Sequence, residues 1–222
     1  MKAMILAAGR GERMRPLTDT TPKPLLEVGG KALIEYHLVA LQQAGVHDVI
    51  INHAWLGKQI ESHLGTGERY GLRLEYSAEI PAALETAGGI IQALPWLGAE
   101  PFIVINGDIW CDYPLQQLPS TLAGLAHLVM VDNPQHNPQG DFCLINNELQ
   151  AEGETRLTYS GIGVYHPDLF AGLEPGIRPL APLLKKAMES NLVSGEHYQG
   201  RWYDIGTPER LTELDLQLKQ QG

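Results

Sequence analysis

Gly9 and Gly11 follow directly on an apolar run, Ala3 to Ala8, and are followed by Glu12, Arg13 and Arg15, with Lys23 further on between two prolines. Glycines in such a loop let backbone N–H groups turn toward an anion with no side chain in the way. Arg13 and Lys23 add the charge that a polyphosphate requires. Five of the chain's 16 Lys and Arg, namely Arg10, Arg13, Arg15, Lys23 and Lys31, gather in this stretch of a protein of net charge −10. A local cationic loop on an acidic molecule points to a small anionic ligand. The loop is neither of two familiar phosphate-binding patterns. The dinucleotide G-x-G-x-x-G would need glycine where Met14 stands, and no G-x-x-x-x-G-K-[ST] occurs here.

Two aspartates offer complementary chemistry. Asp108, in Asn106-Gly107-Asp108, lies just past the end of the apolar run Phe102–Ile105, where open α/β sheets bind ligands. Asp is a good Mg²⁺ ligand, and Mg²⁺ takes one or two carboxylates together with phosphate oxygens. Asp204, in Trp202-Tyr203-Asp204-Ile205-Gly206-Thr207, also closes a short apolar run. Each aspartate taken alone could equally be a loop residue, and bringing the two together is an expectation about the fold. Small residues in Leu84-Glu85-Thr86-Ala87-Gly88-Gly89 would allow a flat base or ribose to approach, or would serve close helix–sheet packing. The histidines show no metal-ligand spacing. Cys111 has no neighbouring base, so no nucleophilic thiol is expected.

These residues need a scaffold, and the hydrophobic pattern supplies one. Strand-like runs at 4–8, 48–52, 72–76 and 102–105 alternate with helix-like segments at 32–44, 56–64 and 86–94, the last ended by Pro95. That order predicts a Rossmann-like α/β fold: a mixed, mostly parallel sheet with helices on both faces. After Pro114 the chain turns β-rich at 127–131, 142–145, 157–165 and 192–198, with a helix at 180–190. Thr207-Pro208-Glu209 starts a last helix, with Thr as N-cap and Pro in the first turn. We expect a single domain over 1–222, with a subdomain edge near 114 between a half at 1–114 and a half at 115–222. The acidic balance excludes a nucleic-acid surface, and no run approaches a membrane span. Two cysteines make no disulfide framework, so a cytoplasmic location is expected.

Taken together, the motifs resemble the sugar-1-phosphate nucleotidyltransferases. The resemblance rests on Leu6 to Thr18 (L-A-A-G-x-G-x-R-M-x-P-L-T), Pro22-Lys23-Pro24-Leu25, the strand-end Asn106-Gly107-Asp108 and Trp202 to Pro208 (W-x-D-I-G-T-P). It covers nearly the whole chain and implies the nucleotide-diphospho-sugar transferase fold. Ile51 to Gly57, Gly140-Asp141-Phe142 and Ser194 to Tyr198 point within it to a branch using UTP and the 1-phosphate of N-acetylmuramic acid, in cell-wall (peptidoglycan) recycling.

The resemblance implies that a sugar-phosphate oxygen attacks the α-phosphorus of UTP and displaces pyrophosphate. Gly9, Gly11, Glu12 and Arg13 would hold the outer phosphates, with Arg13 on the leaving pyrophosphate. Lys23 would bridge the α-phosphate and the sugar phosphate, and Asp108 and Asp204 would hold Mg²⁺. The base would lie near Ala8, Glu79 and Gly88, where a carboxylate at Glu79 accepts from N3–H of uracil. Asn106, Gly140, Asp141 and Glu154 would face the sugar. Relatives carry Glu-Lys-Pro in this last region, where this chain has Glu154-Thr155-Arg156. The partners expected are UTP and a sugar 1-phosphate, with a monomer compatible with the chain. Two other classes stay open: a non-catalytic nucleotide-binding regulator, and a dehydrogenase, which Met14 disfavours.

Overall fold

Residues Ala3–Leu6 form strand β1, in which alternate side chains point to opposite sides of a sheet. The computed structural model describes residues 1–220. After β1 the chain makes three short 3₁₀ turns, at Glu12–Met14, Leu17–Asp19 and Lys23–Leu25, and a small hairpin, β2 (Glu27–Val28) and β3 (Lys31–Ala32). Three βα steps follow: α1 (Leu33–Gln43), β4 (Asp48–His53), α2 (Gly57–Leu64), β5 (Arg73–Ala78), α3 (Glu85–Leu97) and β6 (Phe102–Asn106). The second half contributes β7 (Ile109–Cys111), β8 (Ala126–Val131), β9 (Phe142–Ile145), β10 (Glu148–Gln150), β11 (Arg156–Tyr165), α4 (Ala181–Met188), β12 (Val193–His197), β13 (Trp202–Asp204) and α5 (Pro208–Lys219).

Nine strands make one sheet in the order β5-β4-β1-β6-β11-β8-β12-β10-β9. β1 is central to the parallel part, with Ile5 level with Ile51 on one side and Ile105 on the other. β11 runs antiparallel to both β6 and β8, and β10 antiparallel to β12 and β9. All other strands run the same way, so the sheet is mixed and mostly unidirectional. Because β11 pairs directly with β6, the two halves of the chain share one continuous sheet.

Helices cover both faces, as the alternation demands. Ile5, Val49, Ile51, Ile103 and Ile105 face α1 and α2 through Ile34, Leu38, Leu41, Ile60 and Leu64. Met4, Ile50, Phe102 and Val104 face α3 and α4 through Ile90, Ala93, Leu97, Leu184 and Met188. Each fully buried Leu or Ile contributes roughly 1.5–3 kcal/mol by its removal from water. A third cluster, Met14, Leu26, Val28, Leu33, Trp110, Ile205 and Leu214, lies under the N-terminal loop and α5. The third cluster explains Met14: the position where a dinucleotide loop would carry glycine is filled by a side chain with 0% exposure.

One boundary departs from expectation. α3 runs through Pro95 to Leu97 rather than stopping there. Proline forfeits only its own N–H bond to the carbonyl four residues back. Here that loss falls in the last turn, where buried Leu97 and the bond from Gly98 N to Leu94 O (2.9 Å) hold the helix together. At α5 the expected cap is present, with Thr207 Oγ1 accepting from Arg210 N at 3.5 Å.

Candidate active site

The loop after β1 is fixed from beneath and open above. Gly11 adopts φ +70°, a conformation that favours glycine. A Cβ there would stand 3.0 Å from Thr18 Cγ2, while around Gly9 there is open space. Thr18 Oγ1 donates to Gly11 O (2.8 Å) and Met14 N to the same oxygen (2.9 Å), so the turn is held by both ends. Arg10 stacks 3.8 Å over the Trp55 ring and donates to Thr18 O at 2.9 Å. Arg15 pairs with Asp19 at 2.7 Å. Glu12, expected at the phosphates, is exposed beside Arg10 (3.6 Å) and Arg15 (3.5 Å) and lies outside the cleft described below. Arg13, in contrast, makes no ion pair among the described residues. A Cβ on Gly206 would sit 3.3 Å from Arg13 Nη2, 3.2 Å from Asp204 Oδ2 and 3.0 Å from Arg210 Nη1, so these three groups converge on the Gly206 backbone.

The two aspartates meet through a ribbon that sequence spacing does not reveal. β7 and β13 pair antiparallel, with Asp204 opposite Ile109, and Ile205 N donates to Asp108 O at 2.9 Å. Gly107 makes the approach possible: its N–H donates to Leu6 O (2.8 Å), and a Cβ on it would stand 2.7 Å from that same oxygen. Asp108 Oδ2 accepts from Lys23 Nζ at 2.7 Å, and Lys23 is buried. Asp204 Oδ2 accepts from Arg210 Nη1 (2.7 Å) and stands 3.0 Å from His136 Nε2. Oδ1 of each aspartate has no partner among the described residues. Two hard carboxylate oxygens on adjoining strand ends suit Mg²⁺, which needs only one or two protein ligands when phosphate and water complete its shell. Among the described residues no larger group of His, Cys, Asp or Glu forms a metal cage. Burial pushes the Cys111 thiol up to about 12, which suits its lack of a nucleophilic role.

Between the loop and α3 lies a cleft of ≈ 350 Å³, bordered by Ala8, Gly9, Lys23, Asn52, Glu79, Glu85, Asn106 and Asp108. Glu79 lines it as expected, but both its oxygens are already hydrogen-bonded. Oε1 accepts from Asn52 Nδ2 (2.7 Å) and Oε2 from Leu84 N (2.6 Å), while Asn52 Oδ1 accepts from Ala7 N (2.8 Å). The carboxylate therefore braces β1 against the turn before α3, and only its remaining lone pairs face the cleft. Gly88 does not line the cleft. A Cβ there would collide with the carbonyl of Gly176, so close packing against the 176–178 segment explains it. Its neighbour Gly89 is the residue that makes room, since a Cβ on it would stand 2.5 Å from Glu79 Oε1. Sequence reasoning also passed over Glu85, a non-glycine residue at φ +59° in the first position of α3; its place beside Thr86 in a small-residue segment was the available signal.

A second cleft, ≈ 640 Å³, shares Glu85, Thr86 and Asn106 with the first. It contains Gly140 and Asp141, as expected for the sugar side. Gly140 has φ +64°, and Asp141 holds its loop by accepting from Asn137 Nδ2 (3.1 Å) and Tyr159 N (2.8 Å). Glu154, expected at the sugar, does not line this cleft and borders a separate hollow with Asn133, Pro138 and Gly153. Arg156, the first residue of β11, stands between the two hollows and pairs with Glu152 at 2.7 Å. No helix among the described residues is long and apolar enough to cross a membrane.

In this α/β sheet Gly9, the buried Lys23 and Asp108 border one cleft, the β7–β13 ribbon brings Asp204 beside the Asp108 segment, and residues 2–221 match the nucleotidyl transferase family. The chain belongs to that family. Among relatives, the N-acetylmuramate alpha-1-phosphate uridylyltransferase of Neisseria meningitidis serogroup B is 54% identical over 96% of both chains. The enzyme of the same name from Caulobacter vibrioides is 34% identical over 98% of this chain and 97% of its own. The structure of an inositol-1-phosphate CTP transferase from T. maritima shares the fold, with a TM-score of 0.79 over 99% of this chain and 96% of that one at 19% identity.

Proposed function

We propose that this protein transfers UMP from UTP to N-acetyl-α-muramic acid 1-phosphate, giving UDP-N-acetylmuramic acid and pyrophosphate, in the recycling of cell-wall peptidoglycan. The observation that carries the chemistry is that Gly9, Lys23 and Asp108 border one cleft, while the β7–β13 ribbon ties Asp204 to the Asp108 segment and Arg13 stands beside Asp204 at Gly206. The choice of substrates is supported by the 54% and 34% identical relatives, matched over nearly their full lengths.

In this reading an oxygen of the sugar phosphate forms a bond to the α-phosphorus of UTP. The bond from that phosphorus to the bridging oxygen breaks, and pyrophosphate leaves with the electron pair. The nucleophile is already ionised, so no side chain need remove a proton. The protein's tasks are to position two anions and to offset their charge. Lys23, buried and aimed at the mouth, neutralises charge between donor and acceptor phosphates. Arg13, a cation without an ion-pair partner among the described residues, holds the departing pyrophosphate, while backbone N–H groups around open Gly9 receive the outer phosphates. Asp108 and Asp204 would hold Mg²⁺, which when bound supplies a Lewis acid for the phosphate oxygens. The first cleft takes the uridine, with the braced Glu79 and Ala8 at the base, and the second takes the sugar.

The test is pyrophosphate release across a panel of sugar 1-phosphates and the four nucleoside triphosphates, with Mg²⁺ present or chelated. The reading expects turnover with UTP and N-acetylmuramic acid 1-phosphate and its loss on chelation. Equal or faster turnover with GTP and mannose 1-phosphate would replace it by guanylyl transfer. Nucleotide binding without pyrophosphate release anywhere in the panel would identify a regulator.

A further inference from the structure

The second cleft has one cation that no described residue engages. Four charged side chains border it: Glu85, Asp141, Arg156 and Lys185. Asp141 is engaged by Asn137 and by the backbone of Tyr159. Arg156 is paired with Glu152 at 2.7 Å. Glu85 is itself an anion. Lys185 forms no ion pair and no hydrogen bond with any described residue. It lies just over one turn into α4, whose first residue, Ala181, also lines the cleft together with Leu180. Helical side chains lean toward the helix N-terminus, so the Lys185 stem runs back over the cleft along the apolar wall of Leu180 and Leu184.

The position of Lys185 decides which anion it can meet. The acceptor's phosphate must lie at the shared end of the two clefts, near Lys23 and Asp108, which border the first cleft only. Lys185 borders the second only. An anion at Lys185 is therefore a second charge, carried by the sugar at a distance from its phosphate. We infer that Lys185 reads a carboxylate on the acceptor sugar and sets the preference for a carboxylate-bearing hexosamine. This rests on the acceptor proposed above: N-acetylmuramic acid differs from N-acetylglucosamine only by a lactyl ether, which ends in a carboxylate. A charge-assisted bond of this kind contributes about 1.5–3 kcal/mol, a discrimination of about tenfold or more.

The experiment measures kcat and KM for both sugar phosphates, at saturating UTP, in the wild type, Lys185→Met and Lys185→Arg. Lys185→Met is expected to raise KM for N-acetylmuramic acid 1-phosphate about tenfold or more with little change in kcat, and to leave N-acetylglucosamine 1-phosphate unaffected. Lys185→Arg should restore most of the lost affinity. An equal loss on both sugars, or no loss on either, overturns the inference. A wild type that prefers the muramic sugar while Lys185→Met keeps that preference overturns only this assignment. A wild type that does not prefer the muramic sugar overturns the proposed acceptor, and this assignment with it. Lys185 is exposed on a helix surface, and unchanged thermal midpoints establish that the variants fold.

Discussion

Lys23 and Asp108, 85 positions apart, are joined Nζ to Oδ2 at 2.7 Å, the lysine buried and the aspartate half open to the cleft. Each therefore presets the other. The lysine holds one oxygen of the carboxylate, and the carboxylate fixes the position of the buried ammonium at the cleft. Lys23→Met should lower kcat by at least about a hundredfold, because it removes a charge placed where phosphate charge shifts. Asp108→Asn should lower kcat similarly and weaken the response to Mg²⁺. Single-turnover assays at saturating UTP measure both. Turnover within threefold of wild type for Lys23→Met would make the lysine a packing residue.

Gly107 gives a prediction about geometry. Gly107→Ala places a methyl against the carbonyl of Leu6, a backbone group that cannot swing aside. The strand end must shift, at about 1–3 kcal/mol of stability, and Asp108 must shift with it. Urea unfolding and turnover should both report the change; a fully active, fully stable variant would show that the close approach is unimportant.

Trp55 gives a prediction about the loop. Its ring lies under the Arg10 guanidinium and its indole N–H donates to Thr18 O at 3.0 Å. Trp55→Ala removes a stack of about 0.5–2 kcal/mol and loosens the phosphate loop. KM for UTP should rise several-fold, with a smaller rise for Trp55→Phe, which keeps an aromatic face. An unchanged KM in Trp55→Ala would separate the stack from nucleotide binding.

His37 gives a prediction about pH. It sits fully inside α1's packing, bonded to the backbone of Ile109, with Nε2 unpartnered among the described residues. Burial lowers its pKa to about 4 from 6.5, against opposing effects of that backbone bond and of Asp108. The folded state thus resists a proton that the unfolded chain accepts. The stability this gives is complete above about pH 6.5 and is lost as pH falls toward 4, with a slope on the order of 1.4 kcal/mol per unit. His37→Gln should flatten that part of the curve in urea midpoints taken from pH 7 to 4.5. An equal slope in the variant would assign the acid sensitivity to other groups.

Much of the scaffold was legible because its signals are local. Short apolar runs through Ala3–Leu6, Asp48–His53 and Phe102–Asn106 mark buried strands, and the helices between them impose parallel pairing. The phosphate loop was legible for the same reason: its glycines, Arg13 and Lys23 lie close in sequence. What brings Asp108 and Asp204 together was not, since β7 and β13 are three-residue strands with no periodicity to read. Gly88 and Gly89 are adjacent and chemically identical, so only the fold shows which one faces Glu79. Glu154 lies in the irregular segment ahead of β11, where no periodicity tells which hollow it borders.

The β7–β13 ribbon also orders events in time. As synthesis proceeds from the N-terminus, the first βα steps emerge with Lys23, the glycine loop and Asp108 well before residue 204 is made. The ribbon closes only when the late strand folds back onto the early one. The two carboxylates are therefore brought together only after residue 204 has been made, and the core under the N-terminal loop, which includes Ile205 and Leu214, is completed at the same stage.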